Sequence, residues 1–142
     1  MKLMKTVMAL AAALAFASVP AAFAARADIS VQNPVSLYGA VGAGTATLSW
    51  SALDASNKNS VTLTGKEILL FKNTDASSHT VTITSTADDL GRTLDIGPYT
   101  VSAGGIAFFG PVPTRGFIQA SNSKLYFESD SALVSVAIVR LK

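Results

Sequence analysis

GKEILLFKNTDASSHTVTITS, residues 65–85, is the stretch on which the fold turns. Its first half is an almost unbroken apolar run, Ile68-Leu69-Leu70-Phe71, and its second half alternates strictly, Thr80-Val81-Thr82-Ile83-Thr84. Successive side chains of a strand point to opposite faces, so Ile68 and Leu70 share one face while Leu69 and Phe71 share the other. With both faces apolar, residues 67–72 are predicted to form a central strand covered on both sides. Leu70→Asp is then expected to prevent folding, because an unpaired carboxylate in such a strand costs several kcal/mol. The alternating half predicts a strand at 79–85 that turns Val81 and Ile83 to the core and its threonines to water or a partner. Between the two, Asn73 to Ser78 supplies Asn, Asp and Ser side chains that bond to nearby backbone. The whole stretch is predicted to be a hairpin running from the middle of a sheet toward its surface.

Outward from this stretch the same pattern recurs. Runs rich in β-branched and aromatic residues, bounded by turn residues, predict further strands at 46–50, 60–64, 99–102, 105–109, 116–120, 124–128 and 132–141. In the last of these, Leu133, Ser135, Ala137, Val139 and Leu141 form one face and Val134, Val136, Ile138 and Arg140 the other, so it too is expected to be covered on both sides. No capped 3.6-residue apolar period follows residue 28. Short strands with turn signals between them indicate an all-β protein, a single antiparallel β-sandwich of jelly-roll or Ig-like type over residues 45–142. Before it, residues 25–44 mix Gly, Pro, Asn and small side chains, which suits an extended arm or loose edge strand that stays mobile or orders against a neighbour.

Residues 1–24 read as a helical, signal-peptide-like leader. Lys2 and Lys5 make a basic start, Thr6 to Val19 is an Ala-rich apolar run, and Ala22-Phe23-Ala24 supplies small residues for cleavage, with Ala25-Arg26-Ala27 as a second option. The run is short for a bilayer span and is followed by Pro20, so no stable membrane span is expected. Two of the 11 basic residues lie in the leader, which leaves nine against nine acidic ones and a formal net charge of zero beyond it. The sequence pI near 9.0 therefore describes the leader more than the domain. Without a concentrated positive surface, nucleic-acid binding is not expected. Near-zero charge favours association, in keeping with a homo-oligomer. Cysteine is absent, so a disulfide framework, a thiol nucleophile and a thiolate metal site are excluded.

Chemistry-bearing patterns are few. The single histidine, His79, opens a strand after a polar loop and reads as a solvated turn residue rather than a general base. No nucleophile elbow, zinc-protease, P-loop or dinucleotide motif occurs. Asp88-Asp89 with Asp95 matches no calcium-loop spacing and encloses Arg92, which predicts a solvated loop with an Asp–Arg pair. The chain is therefore expected to be no enzyme, with no catalytic, cofactor-binding or metal-binding residues. Phe108-Phe109-Gly110-Pro111-Val112-Pro113 has more character, since two aromatics before Gly-Pro-x-Pro end a strand sharply and force an extended rim. Phe108, Phe109, Pro111, Pro113 and Phe117, with Thr82 on the outward face of its strand, form the candidate interaction surface. Tyr126 is expected to pack near the rim.

Taken together, G-K-E-I-L-L-F-K-N-T at 65–74, T-V-T-I-T-S at 80–85, G-R-T-x-D-I at 91–96, A-G-G-I-A-x-F-G-P-x-P at 103–113 and K-L-Y-F at 124–127 carry a resemblance that spans about residues 64–141. In their order and spacing they resemble small β-sandwich head decoration or accessory capsid proteins of tailed bacteriophages, which are encoded beside the major capsid protein. The resemblance implies a virion component that binds a capsid lattice, or its own subunits, through surface contacts and catalyses nothing. A capsid protein has no use for an export leader, so residues 1–24 support an alternative: a secreted or periplasmic bacterial β-sandwich serving as an adhesive or surface-structure module.

Overall fold

The computed structural model describes residues 25–34 and 47–141. The leader 1–24, residues 35–44 of the arm and the first residue of the strand expected at 46–50 lie outside the described residues. Within them, nine strands follow one another: β1 (Ala27–Asp28), β2 (Ser51–Ala52), β3 (Asn59–Thr62), β4 (Glu67–Asn73), β5 (His79–Thr84), β6 (Ile96–Val101), β7 (Ile106–Phe109), β8 (Lys124–Ser129) and β9 (Val134–Arg140). They form two sheets, A in the order β1-β3-β8-β5-β6 and B in the order β2-β9-β4-β7. Every pairing is antiparallel except β1 with β3 and an isolated parallel bridge from Gln32 to Val139. The all-β expectation therefore holds for the described residues, as a sandwich-like pair of mostly antiparallel sheets.

Inward side chains of both sheets meet in one core. Leu69 and Phe71 of β4 and Val134, Val136 and Ile138 of β9 face Val61 of β3, Val81 and Ile83 of β5, and Leu125 and Phe127 of β8, all at most 1% exposed. Phe71 meets Phe127 edge-to-face across the layers at 5.8 Å between ring centroids. Each such side chain removed from water stabilises the fold by roughly 1.5–3 kcal/mol, and the edge-to-face contact adds about 0.5–1.5 kcal/mol.

The hairpin expected at 65–85 does not form. β4 pairs with β7 and β9 in sheet B, while β5 pairs with β6 and β8 in sheet A. The connection is an arch between layers, so that Leu69 and Phe71 face Val81 and Ile83 across the core instead of lying beside them. Asn73 holds the arch from inside. Its buried side-chain amide donates to the carbonyls of Ser77 (2.7 Å), Val101 (3.1 Å) and Ser102 (3.2 Å), and its oxygen accepts from the Asp75 N–H at 2.9 Å. A buried polar group is tolerated when it is bonded in this way.

β4 is central, as expected, but only its inner face is fully covered. Ile68, Leu70 and Lys72 are half-buried on the outer face of sheet B, so Leu70 is not a core residue. β9 behaves similarly: its inner face and Ala137 are buried, Ser135 and Val139 are half-buried, and Leu133 and Leu141 are exposed. The strand expected at 116–120 is a set of turns, with Phe117 and Ile118 N–H groups donating back to Thr114 O at 3.3 and 3.1 Å. Phe117 and Ile118 still pack against the core, which explains why that segment looks strand-like in composition. Residues 47–50 of the strand expected at 46–50 are not strand, and the pairing begins at Ser51.

The described part of the arm orders on the chain's own sheets. β1 adds to the edge of sheet A, Ile29 and Val31 pack against the core, and Gln32 exchanges backbone bonds with β9 at the edge of sheet B (2.8 and 3.0 Å). The Gln32 side chain then imitates backbone, donating to Ser49 O at 2.7 Å and accepting from Ser49 N–H at 2.8 Å.

Candidate functional site

The rim of the candidate surface is built where β7 ends. Side chains alternate along this edge strand, so Ile106 and Phe108 face outward, 57% and 73% exposed, while Ala107 is buried. Phe109 turns inward and packs edge-to-face on Phe71 (5.8 Å) and Tyr99 (5.3 Å). Gly110 follows at φ +121°, where an added Cβ would stand 2.6 Å from the Glu67 carbonyl oxygen, so the close passage of the two chains requires glycine. Beyond it Pro111 and Pro113 are exposed, and Val112 between them is buried with its N–H donating to Glu67 O at 3.2 Å.

Of the residues expected to form an interaction surface, Phe108, Pro111 and Pro113 are therefore accessible together. Phe109 and Phe117 are partly buried against the core and serve packing. Thr82 lies elsewhere: it is paired with Glu128 on the outer face of sheet A, in a shallow polar hollow of about 230 Å³ with Lys58 and Asp130. Tyr126 lies on β8 in sheet A, not in the sheet that carries the rim, and the Arg26 guanidinium stands over its ring, 4.0 Å from the centroid.

What composition alone missed is the continuation of the exposed apolar strip across sheet B. Leu70 is opposite Phe108 on one side and Ala137 on the other, and Lys72 is opposite Ile106. The Trp50 ring lies 5.8 Å from the Lys72 ammonium on this face. Ile106 was detectable, because residues two apart on a strand share a face with Phe108. Trp50 was not, because nothing local places it over Lys72.

Beneath the rim sits a buried acid. Glu67 is fully buried, and its carboxylate accepts from the Thr64 hydroxyl (2.7 Å), the N–H groups of Thr64 (2.7 Å), Gly65 (3.1 Å) and Lys66 (3.2 Å), and Arg140 Nε (2.7 Å). Burial alone would raise its pKa, but the Thr64 hydroxyl and N–H, the Arg140 guanidinium and the Lys66 N–H outweigh it and hold the carboxyl at about 2. A carboxylate so fully engaged ties the β3–β4 turn to the end of β9 and has no lone pair to spare for a proton-transfer role.

His79 is not the solvated turn residue expected from sequence. Its Nε2 lies 2.8 Å from Asp75 Oδ2 and its Nδ1 3.2 Å from Asp130 Oδ1, and the side chain is 17% exposed. The Asp75 hydrogen bond, reinforced by the Asp130 charge, raises its pKa against the opposing effect of burial. Asp75 is correspondingly lowered, first by its bond to His79. With both ring nitrogens donating to carboxylates, the imidazolium has no lone pair to act as a base. The clamp ties the arch to the β8–β9 turn. Since the folded-state pKa of His79 is above its unfolded value, its contribution is complete below the unfolded pKa near 6.5 and is lost as pH rises through the folded one. Thermal melts should therefore show stability falling as pH rises above the unfolded value near 6.5. His79→Gln should lower the acid-side stability and flatten that slope, and a variant with the wild-type slope would show that the clamp is not the source.

The expected Asp–Arg pair forms: Arg92 Nε and Nη2 lie 2.8 and 2.7 Å from Asp88 Oδ2. Asp88 also accepts from the N–H groups of Leu90 and Arg92, and Asp95 accepts from the N–H and hydroxyl of Ser85, so both carboxylates are committed to shaping their loop. An open hollow of about 490 Å³ beside them is lined by Ser85, Thr86, Leu94 and Phe117 among others. Among the described residues no three His, Asp or Glu side chains converge as metal ligands, and no helix is long and apolar enough to cross a membrane. No protein-family model, curated protein or solved structure matches this chain.

Proposed function

We propose that this chain is a non-enzymatic structural protein that works by adhering to protein surfaces, as a head decoration or accessory capsid protein bound to the capsid lattice of a tailed phage. The observation that carries the adhesive reading is the outer face of sheet B, where Ile106 and Phe108 stand 57% and 73% exposed beside half-buried Leu70. Two large apolar side chains held in water on one strand mark a surface meant to be covered. The carboxylates of Glu67, Asp88 and Asp95 and the ring of His79 are absorbed by structural bonds, which supports a role without catalysis.

The finer fold reading is a jelly roll. Its support is the nested pairing of β2 with β9, β3 with β8, β4 with β7 and β5 with β6, distributed over two sheets. Viral capsid domains use that architecture, as do lectins and other proteins, so it agrees with the phage setting without deciding it. The experiment is mass spectrometry of purified virions from the source. The chain is expected at a stoichiometric level with the major capsid protein, and its repeated absence from such particles would end the phage reading.

The leader pattern at residues 1–24 favours a second reading, a secreted or periplasmic module of an adhesive or surface structure, with a helical leader removed on export. Fractionation of the producing cell separates the two. A chain confined to the cytoplasm and still carrying Lys2 and Lys5 would exclude export.

A further inference from the structure

The four sheet edges formed by the described residues are not equally protected. In sheet A the edge strands are β1, only two residues long, and β6, which carries a register shift against β5 and contains Gly97 and Pro98. In sheet B, β2 is likewise two residues long, and Gln32 covers β9 beyond it. Short strands, prolines, bulges and charges are the devices that keep sheet edges from pairing with other chains. β7 is four residues long and ends at Gly110-Pro111, but within the strand there is no proline, bulge or charge: it reads Ile-Ala-Phe-Phe, and no charged residue occurs from Ile96 to Thr114.

The backbone of β7 is also poised for a partner. The Asn73 N–H bonds to Gly105 O, and along an antiparallel ladder alternate residues bond to the same side. The N–H and C=O groups of Ala107 and Phe109 therefore address β4, and those of Ile106 and Phe108 point away from the sheet. Among the described residues nothing pairs with the outward backbone groups of Ile106 and Phe108, and these are the two with exposed apolar side chains.

We propose that β7 pairs with β7 of a second copy of this chain across a two-fold axis, joining the two B sheets edge to edge. A second copy is the occupant that fits, because the strand is uncharged and self-complementary in one register. With Ala107 opposite its own copy, Ile106 of each chain faces Phe108 of the other. Both pairs place their backbone groups for mutual hydrogen bonding, and both put apolar side chains together on the outer face. Ala107, the small residue, falls at the axis on the inner face. Cross-strand aromatic–β-branched pairs stabilise such a ladder, and the zero net charge beyond the leader removes long-range repulsion. The interface is small, so the dimer is expected to be weak and concentration-dependent.

This inference names a partner for the adhesive surface proposed above and relies on that reading for its biological use. The test uses the protein purified as its producing cell leaves it. Sedimentation velocity over a hundred-fold concentration range should show a monomer–dimer equilibrium. Phe108→Lys and Ile106→Lys should each shift it at least ten-fold toward monomer while leaving the thermal melt of the monomer unchanged, since both side chains are exposed. The chain has no cysteine, so Ala107→Cys offers a clean reporter: Cα atoms about 4.5 Å apart at the axis lie within disulfide range. Mild oxidation should link Ala107→Cys chains into dimers and leave a Thr82→Cys control unlinked. A wild-type chain monomeric throughout, a dimer indifferent to both lysine variants, or equal linking at Thr82 would each overturn the pairing. A chain that is monomeric alone but loses its hold on purified capsids in Phe108→Lys would assign the edge to a foreign strand and likewise overturn self-pairing. Absence from virions, by contrast, bears on the phage reading and leaves the dimer measurement standing.

Discussion

Leu69→Asp is expected to leave the chain unfolded. Leu69 is fully buried between Phe109 of β7 and Ile138 of β9, with its side chain in the common core of the two sheets. An aspartate there meets apolar side chains, with no donor from which its oxygens could accept a hydrogen bond. The cost of an unpaired buried carboxylate is several kcal/mol, comparable with the roughly 5–15 kcal/mol that holds a domain together. The measurement is far-ultraviolet circular dichroism with limited proteolysis, read beside Leu70→Asp. That second substitution falls on the half-buried outer face and should cost about 0.5–3 kcal/mol, within reach of a folded protein. A Leu69→Asp chain that melts cooperatively near the wild-type temperature would contradict the placement of the core. Equal unfolding of both variants would mean that the outer face of β4 is as covered as the inner one.

Glu67→Gln is expected to produce the second largest loss. The amide keeps the volume of the carboxylate but gives up its charge, so Arg140 loses its ionic partner and an amide NH2 is turned toward donors that need an acceptor. The folded pKa of about 2 lies below the ordinary value of 4.5. The contribution is therefore present above the unfolded pKa, declines as pH falls from about 4.5, and is lost once pH passes the folded value. The shift corresponds to on the order of 3 kcal/mol. Chemical denaturation at neutral pH should show a loss of that size for Glu67→Gln. Between pH 4.5 and 2 the wild type should lose stability while the variant loses little more. A variant as stable as wild type at pH 7, or one with an unchanged acid slope, would show that the network around Glu67 does not stabilise the fold.

Some of the candidate site was legible before any coordinates. Phe108, Pro111 and Pro113 are exposed together because Gly-Pro-x-Pro cannot continue a strand, and that rule is local. The Asp88–Arg92 pair is likewise a local property, its two residues standing four positions apart. Thr82 was correctly turned outward by alternation, yet it lies on the sheet opposite Phe108, since alternation says which side of its own sheet a residue faces and nothing about which sheet that is. The His79 clamp was illegible for a different reason. Asp130 reaches the ring from 51 positions along the chain, and no local feature of the sequence marks the two as partners.

For this protein the sequence alone determined the β character and, where a strand alternates apolar with polar residues, its inward set. Alternation of side chains is imposed by the backbone of each strand separately, so Val81 and Ile83 inward need no knowledge of neighbours, whereas in β9, apolar on both faces, alternation sorted the residues into two sets and only the structure made Val134, Val136 and Ile138 the inward one. Tertiary structure decided which strand lies beside which. The segment from Thr74 to Ser78 serves a hairpin or an arch equally well by its own chemistry. The choice of an arch comes from burying Leu69 and Phe71 against Val81 and Ile83 across the core, and from the three carbonyls that reach Asn73. Those contacts join residues distant in sequence, and their free energy is realised only once both sheets are in place.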